Sequence, residues 1–140
     1  MSNVTRASFI IGTIFCLTVL GCSPSSKETV LSEQEVAKAF FDAIYNKKDL
    51  KKALLLGSTK LKTEVKKYKT AKHLARKLLN MSFDSVKLET SSTDVQILDE
   101  FSTQVTLTVL FTGLRDGKTF KDYKKVRVVK ENDIWLVDKI

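Results

Sequence analysis

Apolar residues recur at helical spacing in the segment that follows residue 30. The motif Ser32-Glu33-Gln34-Glu35 has the spacing of a capping box, in which a hydroxyl and a carboxylate three residues later satisfy free backbone amides. The apolar positions that follow it are Val36, Phe40, Ala43 and Ile44. Residues 33–46 are therefore predicted to form an amphipathic helix.

Two further helical segments are predicted before residue 80. Asp49 is suited to cap a short helix that runs to Leu56, and Gly57 is predicted to end it by adopting a positive φ. From Lys60 to Asn80 an apolar stripe contains Leu61, Val65, Tyr68, Ala75 and Leu79, and a basic stripe on the opposite side contains Lys62, Lys66, Lys69, His73 and Arg76. The pattern allows one helix here, or two helices with a break at Lys69-Thr70.

After Met81 the period of the pattern changes to two, which is typical of strands with one buried face. Alternation is short at 86–90 and long at 101–112, and two more strands are predicted at 120–130 and 134–140. In the long run the side chains predicted to face the helices include Phe101, Val105, Leu107 and Val109. Turns are predicted at residues 115–118, which contain Asp-Gly, and at residues 131–133. Helices followed by antiparallel strands predict an α+β domain with the helices on one face of a bent sheet.

Two segments carry a resemblance to a known family. Phe40-Phe41-Asp42-Ala43-Ile44-Tyr45-Asn46-Lys47-Lys48-Asp49-Leu50 resembles the first-helix signature of small bacterial lipoproteins with the nuclear-transport-factor-2-like fold. The ending Asn132-Asp133-Ile134-Trp135-Leu136-Val137-Asp138-Lys139-Ile140 resembles their last strand. The resemblance implies a cone-shaped α+β domain with a cavity between helices and sheet. This superfamily includes enzymes, ligand binders and inert adaptors, so the fold leaves the function open.

The N-terminus has the pattern of an export signal. Met1 to Ser8 is polar with one positive charge, and the apolar run from Phe9 to Leu20 is shorter than the roughly 20 residues that cross a bilayer as a helix. Val19-Leu20-Gly21-Cys22 resembles the lipobox of bacterial lipoproteins, which implies cleavage between Gly21 and Cys22 and a lipid on the Cys22 thiol. The predicted organisation is a signal peptide at 1–21, a lipidated tether at 22–31 and a single α+β domain at 32–140. The alternatives are a plain signal peptide, or a short buried helix with an incidental cysteine.

Composition then limits the partners. The chain carries a formal net charge of +8, and twelve basic residues lie between Lys47 and Lys77. Nucleic acid is not expected as the partner of an exported protein, so anionic lipid or cell-wall polymer is expected at Lys62, Lys66, Lys69 and Arg76. The only cysteines are Cys16, inside the apolar run, and Cys22, which leaves no disulfide.

The predicted location depends on the host. In a Gram-negative host it is the outer membrane facing the periplasm, because Ser23 is not the aspartate that favours inner-membrane retention. In any other host it is the outer face of the cytoplasmic membrane.

No catalytic constellation, metal site or cofactor motif is recognised in the sequence. His73, the only histidine, falls in the basic stripe and is predicted to face solvent. Asp122 is predicted to lie on the same face of its strand as Phe120 and Val126. Its carboxylate either faces inward or belongs to a strand end that is exposed to solvent, and the exposed position is favoured.

The leading hypothesis is therefore a non-enzymatic, lipid-anchored module of the cell envelope that binds a ligand or a protein. The first alternative is a small envelope enzyme or an accessory domain of a cell-wall enzyme, and the second is a surface exclusion or immunity lipoprotein. The lining of the cavity separates the first two. Convergent ionisable side chains favour the enzyme, whereas an apolar or filled cavity favours the binding module.

The anchor hypothesis predicts the behaviour of Cys22→Ser. Without the thiol no lipid can be attached, so the variant should accumulate as uncleaved precursor or as soluble protein. Fractionation of cells followed by detergent extraction measures this. Membrane association of Cys22→Ser that is unchanged and still requires detergent for release would contradict the anchor hypothesis.

Overall fold

In the described part of the chain, four helices precede four strands. The structure, a computed structural model, describes residues 30–97 and 103–140. The elements are α1 (Glu33–Tyr45), α2 (Leu50–Leu55), α3 (Thr59–Val65), α4 (Ala71–Lys77), β1 (Ser85–Ile97), β2 (Thr103–Arg115), β3 (Lys118–Glu131) and β4 (Ile134–Lys139). The strands form one antiparallel sheet in the order β1-β2-β3-β4, and α1 packs on it. The predicted α+β class is confirmed.

Local capping determines where the first two helices begin. The Ser32 hydroxyl accepts a hydrogen bond from the Glu35 amide at 3.3 Å, and the Glu35 carboxylate accepts one from the Ser32 amide at 2.9 Å. Asp49 caps α2 by accepting a hydrogen bond from the Lys52 amide at 3.0 Å. Both predicted caps are confirmed. The predicted positive φ at Gly57 is wrong, because this residue forms a parallel bridge with Val137 instead.

The segment from 59 to 77 forms two helices rather than one. Thr70 has an extended backbone, and its hydroxyl accepts a hydrogen bond from the His73 amide at 3.1 Å, which starts α4. The apolar positions still face the core, but the basic residues do not share one helix face. Lys62 lies on α3, Lys69 lies in the connection, and Arg76 lies on α4. The single basic stripe expected from the spacing is therefore divided.

The alternation predicted for the long strand is confirmed in β2. Val105, Leu107, Val109 and Phe111 are buried, while the residues between them are only partly buried. Phe101 lies outside the described residues. Both predicted hairpin turns are also confirmed. Asp116 and Gly117 have φ values of 50° and 71°, and Asn132 and Asp133 have φ values of 50° and 63°, which suit two-residue turns between antiparallel strands.

Aromatic rings fill the middle of the space between α1 and the sheet. The Phe41 ring meets the Phe111 ring edge to face, with 4.9 Å between centroids. Tyr45 contacts the same ring at 5.8 Å, and Phe40 lies 5.2 Å from Phe41. All four side chains are buried. The resemblance implied a cavity at this level, and here side chains occupy the space.

The outer edge of β4 is covered by the residues that follow α2. The Val137 amide donates to the Leu56 carbonyl at 2.9 Å, and the Ser58 amide donates to the Val137 carbonyl at 2.8 Å. These bonds satisfy edge groups that would otherwise remain open to pairing with another chain. They also join the helical half of the domain to the last strand.

A polar network lies beside this bridge. The buried Ser58 hydroxyl donates to the Asp138 carboxylate at 2.9 Å, and the Arg127 guanidinium donates to the same carboxylate at 2.6 Å and 3.0 Å. Burial alone would raise the pKa of Asp138. The hydrogen bonds from Arg127 and Ser58 and the positive charge of Arg127 outweigh burial, so the pKa lies below its usual value.

No helix in residues 30–97 or 103–140 is long and apolar enough to cross a membrane.

The core position of Leu107 predicts a large effect of truncation. Leu107 is fully buried and pairs with Val126, so Leu107→Ala should lower the free energy of unfolding by about 2–5 kcal/mol. Urea denaturation measures this. Leu114→Ala is the matched control, because Leu114 lies on the same strand and is 43% exposed, and it should cost within about 0.5 kcal/mol. Equal effects of the two substitutions would contradict the register of β2.

The network around Asp138 predicts a pH-dependent effect. At neutral pH, Asp138→Asn should lower the free energy of unfolding by about 1.5–3 kcal/mol, because hydrogen bonds to a charged group are lost. The folded-state pKa lies below the ordinary value of 3.8. The stabilisation is therefore present above that value and disappears as the pH falls through the folded-state pKa.

Urea denaturation from neutral to acidic pH should show the difference between wild type and Asp138→Asn shrinking below the ordinary pKa. In an Arg127→Gln background the same comparison should depend less on pH, because the main hydrogen-bond donor is gone. A difference that stays constant to the lowest pH would contradict the assignment.

Candidate ligand-binding cleft

A cleft lies where the C-terminal end of α1, the helix α4 and the β2–β3 hairpin meet. Its volume is about 280 Å³. The residues that line it are Ile44, Tyr45, Lys48, Lys72, Ala75, Ser82, Phe83, Asp84, Arg115 and Asp116. Here the space between the helices and the sheet is not filled by side chains.

The apolar part of the cleft is built from Tyr45 and Phe83, whose ring centroids are 6.0 Å apart. The Phe83 ring lies directly over Gly113 of β2, and a β-carbon at that glycine would overlap the ring. The buried Tyr45 hydroxyl donates a hydrogen bond to the Met81 carbonyl at 3.1 Å. Burial raises the pKa of the Tyr45 phenol, and the negative charge of Asp122 raises it further. This phenol is therefore protonated at neutral pH.

Charged side chains from separate elements surround this apolar part. Lys48 follows α1 and has a φ of 54°, Lys72 lies on α4, and Arg115 ends β2. The two carboxylates are Asp84 and Asp116. Among the described residues, none of these five side chains takes part in an ion pair. Such a set is suited to a ligand that brings its own charges.

Two contacts hold the hairpin side of the cleft. The Asp84 amide donates to the Leu114 carbonyl at 2.8 Å, which joins the segment before β1 to the end of β2. The Arg115 guanidinium lies 4.3 Å from the centroid of the Phe120 ring. A cation over an aromatic face is held in one orientation while its N–H groups remain available to other partners.

The site residues predicted from the sequence lie elsewhere. Gly21 and Cys22 are outside the described residues. Lys66, Lys69 and Arg76 are exposed and Lys62 is half-buried, and none of these four side chains lines the cleft. Their contact with an anionic surface stays a prediction.

His73 and Asp122 were the two candidates for chemistry. His73 is half-buried, not fully solvent-facing, and its ring packs perpendicular to Tyr68 with 5.4 Å between centroids. Asp122 is exposed and pairs with Phe111, and its carboxylate accepts a hydrogen bond from the Tyr123 amide at 2.8 Å. This exposure agrees with the solvent-exposed position that is favoured for Asp122 from the sequence. Its charge nevertheless acts on Tyr45.

The sequence does not identify the cleft residues as a group. Lys48, Lys72 and Arg115 belong to three different elements, so no fixed spacing connects them. The one local signal was the Asp116-Gly117 turn, which predicted a hairpin and nothing about a ligand. Within 30–97 and 103–140, no group of three or more His, Cys, Asp or Glu side chains is placed to hold a metal ion.

Known proteins resemble this chain only weakly. No protein-family model matches the chain, and no curated protein matches it. The chain is similar to a crystal structure from Campylobacter jejuni that is provisionally named an NTF2-like transpeptidase, with 18% identity and a TM-score of 0.43. The match covers 75% of this chain and 95% of that chain. At this similarity no activity is transferred from that protein.

Proposed function

We propose that the protein is a lipid-anchored protein of the cell envelope whose domain binds a small zwitterionic ligand without transforming it. The observation that carries the binding function is that Lys48, Lys72 and Arg115 line one cleft with an apolar floor while all three side chains are exposed. Exposed cations at the rim of a cleft are suited to hold a charged ligand, whereas an enzyme would need ionisable groups that converge in an enclosed cavity. The anchor rests on the sequence Gly21-Cys22 and its resemblance to a lipobox.

The charges of the cleft define the ligand class. Three cationic side chains provide N–H donors for a carboxylate or phosphate, and charge-assisted hydrogen bonds are the strong ones. Asp84 and Asp116 lie in the same cleft, so they disfavour a ligand with several negative charges and favour one that also carries an ammonium group. Tyr45 and Phe83 offer an apolar surface to the rest of the ligand. A volume of about 280 Å³ suits a small molecule.

The environment of the Tyr45 hydroxyl and the residue types of the cleft support binding of the ligand without chemical conversion. The Tyr45 phenol is engaged by the Met81 carbonyl and stays protonated, so it is a poor base. Buried rings occupy the space between α1 and the sheet. Among the residues that line the cleft there is no histidine or cysteine.

A small envelope enzyme is the second candidate, favoured by one observation. Asp84 and Asp116 line the same cleft as three cations, and positioned carboxylates are common general acids and bases. Turnover of a bound ligand that is lost in Asp84→Asn or Asp116→Asn, with binding retained, would replace the binding-module proposal by this one.

Binding of a zwitterionic dipeptide with one aliphatic side chain tests the proposal. Titration followed by NMR should shift the signals of cleft residues. Amidation of the peptide carboxylate should weaken binding, because it removes the group that the three cations bind. In the double variant Lys72→Gln/Arg115→Gln, the affinity for the dipeptide should fall about tenfold or more for each charge removed.

The matched control for this test is Lys66→Gln/Lys69→Gln, which removes the same charge from exposed positions outside the cleft. Its affinity for the dipeptide should equal that of the wild type. Equal weakening in both double variants would indicate binding by general positive charge and contradict a built cleft. No binding of either peptide form would contradict the ligand class.

A further inference from the structure

A second surface, at the opposite end of α1, is lined by apolar residues. A groove of about 240 Å³ is lined by Val30, Leu31, Val36, Leu55, Leu56, Ile134, Trp135 and Leu136. Three of these side chains are strongly exposed: Leu55 at 73%, Val30 at 62% and Ile134 at 56%. Exposed apolar groups that are gathered on one patch mark an interaction surface, whereas single ones are ordinary.

The position of this groove in the chain connects it with the anchor. Val30 lines the groove and is the first described residue. It follows Cys22 by eight residues, and eight extended residues span at most about 28 Å. Under the proposed function, on which this inference rests, Cys22 carries a lipid in the bilayer. The groove is then the part of the domain to which the anchor leads directly.

The residues of the groove have the chemistry of a membrane interface. Trp135 is half-buried in the groove wall, and an indole ring is favoured at the boundary between headgroups and acyl chains. Leu55 ends α2, one turn after the exposed Lys51 and Lys52. A leucine with lysines beside it can enter the acyl region while the ammonium groups stay with the phosphates.

We infer that this groove docks on the bilayer that holds the anchor, with Leu55, Ile134 and Trp135 entering the headgroup–acyl boundary. Apolar insertion dominates this contact. The turn beside Ile134 carries Glu131 and Asp133, and Lys130 pairs with Asp133 at 3.1 Å, so the immediate surroundings are not uniformly positive. The contact should therefore persist at high salt, unlike attraction through basic side chains alone.

The single tryptophan of the chain makes the contact directly measurable. The protein is expressed from the full-length sequence, purified from the cells and reconstituted into vesicles of phosphatidylethanolamine and phosphatidylglycerol, with or without brominated acyl chains. The emission of Trp135 should shift to shorter wavelength on the vesicles. Brominated chains should quench most of it, at low and at high salt.

Substitutions of the exposed residues separate docking from folding. Leu55→Ser and Ile134→Ser should each lose most of the quenching while the protein still sediments with the vesicles. Leu114→Ser is the control, because Leu114 is an exposed leucine on the β2–β3 hairpin, outside the groove, and its quenching should equal that of the wild type. Urea denaturation confirms that all three variants are folded.

The outcomes distinguish this inference from the proposed function. If the protein stays on the vesicles but brominated chains do not quench Trp135, membrane docking is overturned and the anchor is not. Protein that does not stay on the vesicles at all overturns the anchor, and membrane docking with it. A third outcome is that acrylamide quenches Trp135 less as the protein concentration rises, while brominated chains do not quench it. This result would assign the groove to contact with a second copy of the chain and would also overturn the inference.

Discussion

The edge-to-face contact between Phe41 and Phe111 determines how the two layers of this domain fit together. Phe41 lies on α1 and Phe111 on β2, and both are fully buried. Tyr45 and Phe40 extend the same cluster. Aromatic pairs of this geometry contribute beyond the apolar area that they bury, so α1 has one preferred position on the sheet. These rings occupy the interior, and the cleft lies beyond them at the C-terminal end of α1, where Tyr45 and Phe83 form its floor.

A second constraint joins distant parts of the sequence. The backbone of Leu56 and Ser58 pairs with Val137, and the side chain of Ser58 reaches the carboxylate that Arg127 also binds. The bridge protects the edge of β4 and brings the end of α2 next to the start of β4. The apolar groove forms as a consequence of this bridge, because Leu55 and Ile134 flank the bridged residues on their two segments.

The features that sequence analysis predicted correctly depend on neighbours in the chain. The capping box at Ser32, the alternation of β2 and the hairpin at Asp116-Gly117 are all encoded within a few residues. The prediction for Gly57 is wrong because a glycine that ends a helix and one that lies in a bridge look alike locally, and its partner Val137 is far away in sequence. The pattern does not decide the division between α3 and α4, because the apolar spacing continues across Thr70, although this residue caps a new helix.

The cleft could not be predicted for the same reason, since Lys48, Lys72 and Arg115 meet only after the hairpin and the helices have folded. Their position relative to the groove has a mechanical consequence. Val36 lines the groove and Tyr45 lines the cleft, at opposite ends of α1. Nine residue steps along the helix separate them, a rise of about 14 Å along the axis. With the groove on the bilayer, the cleft at the other end of α1 lies outside the contact surface, where a water-soluble ligand has access to it.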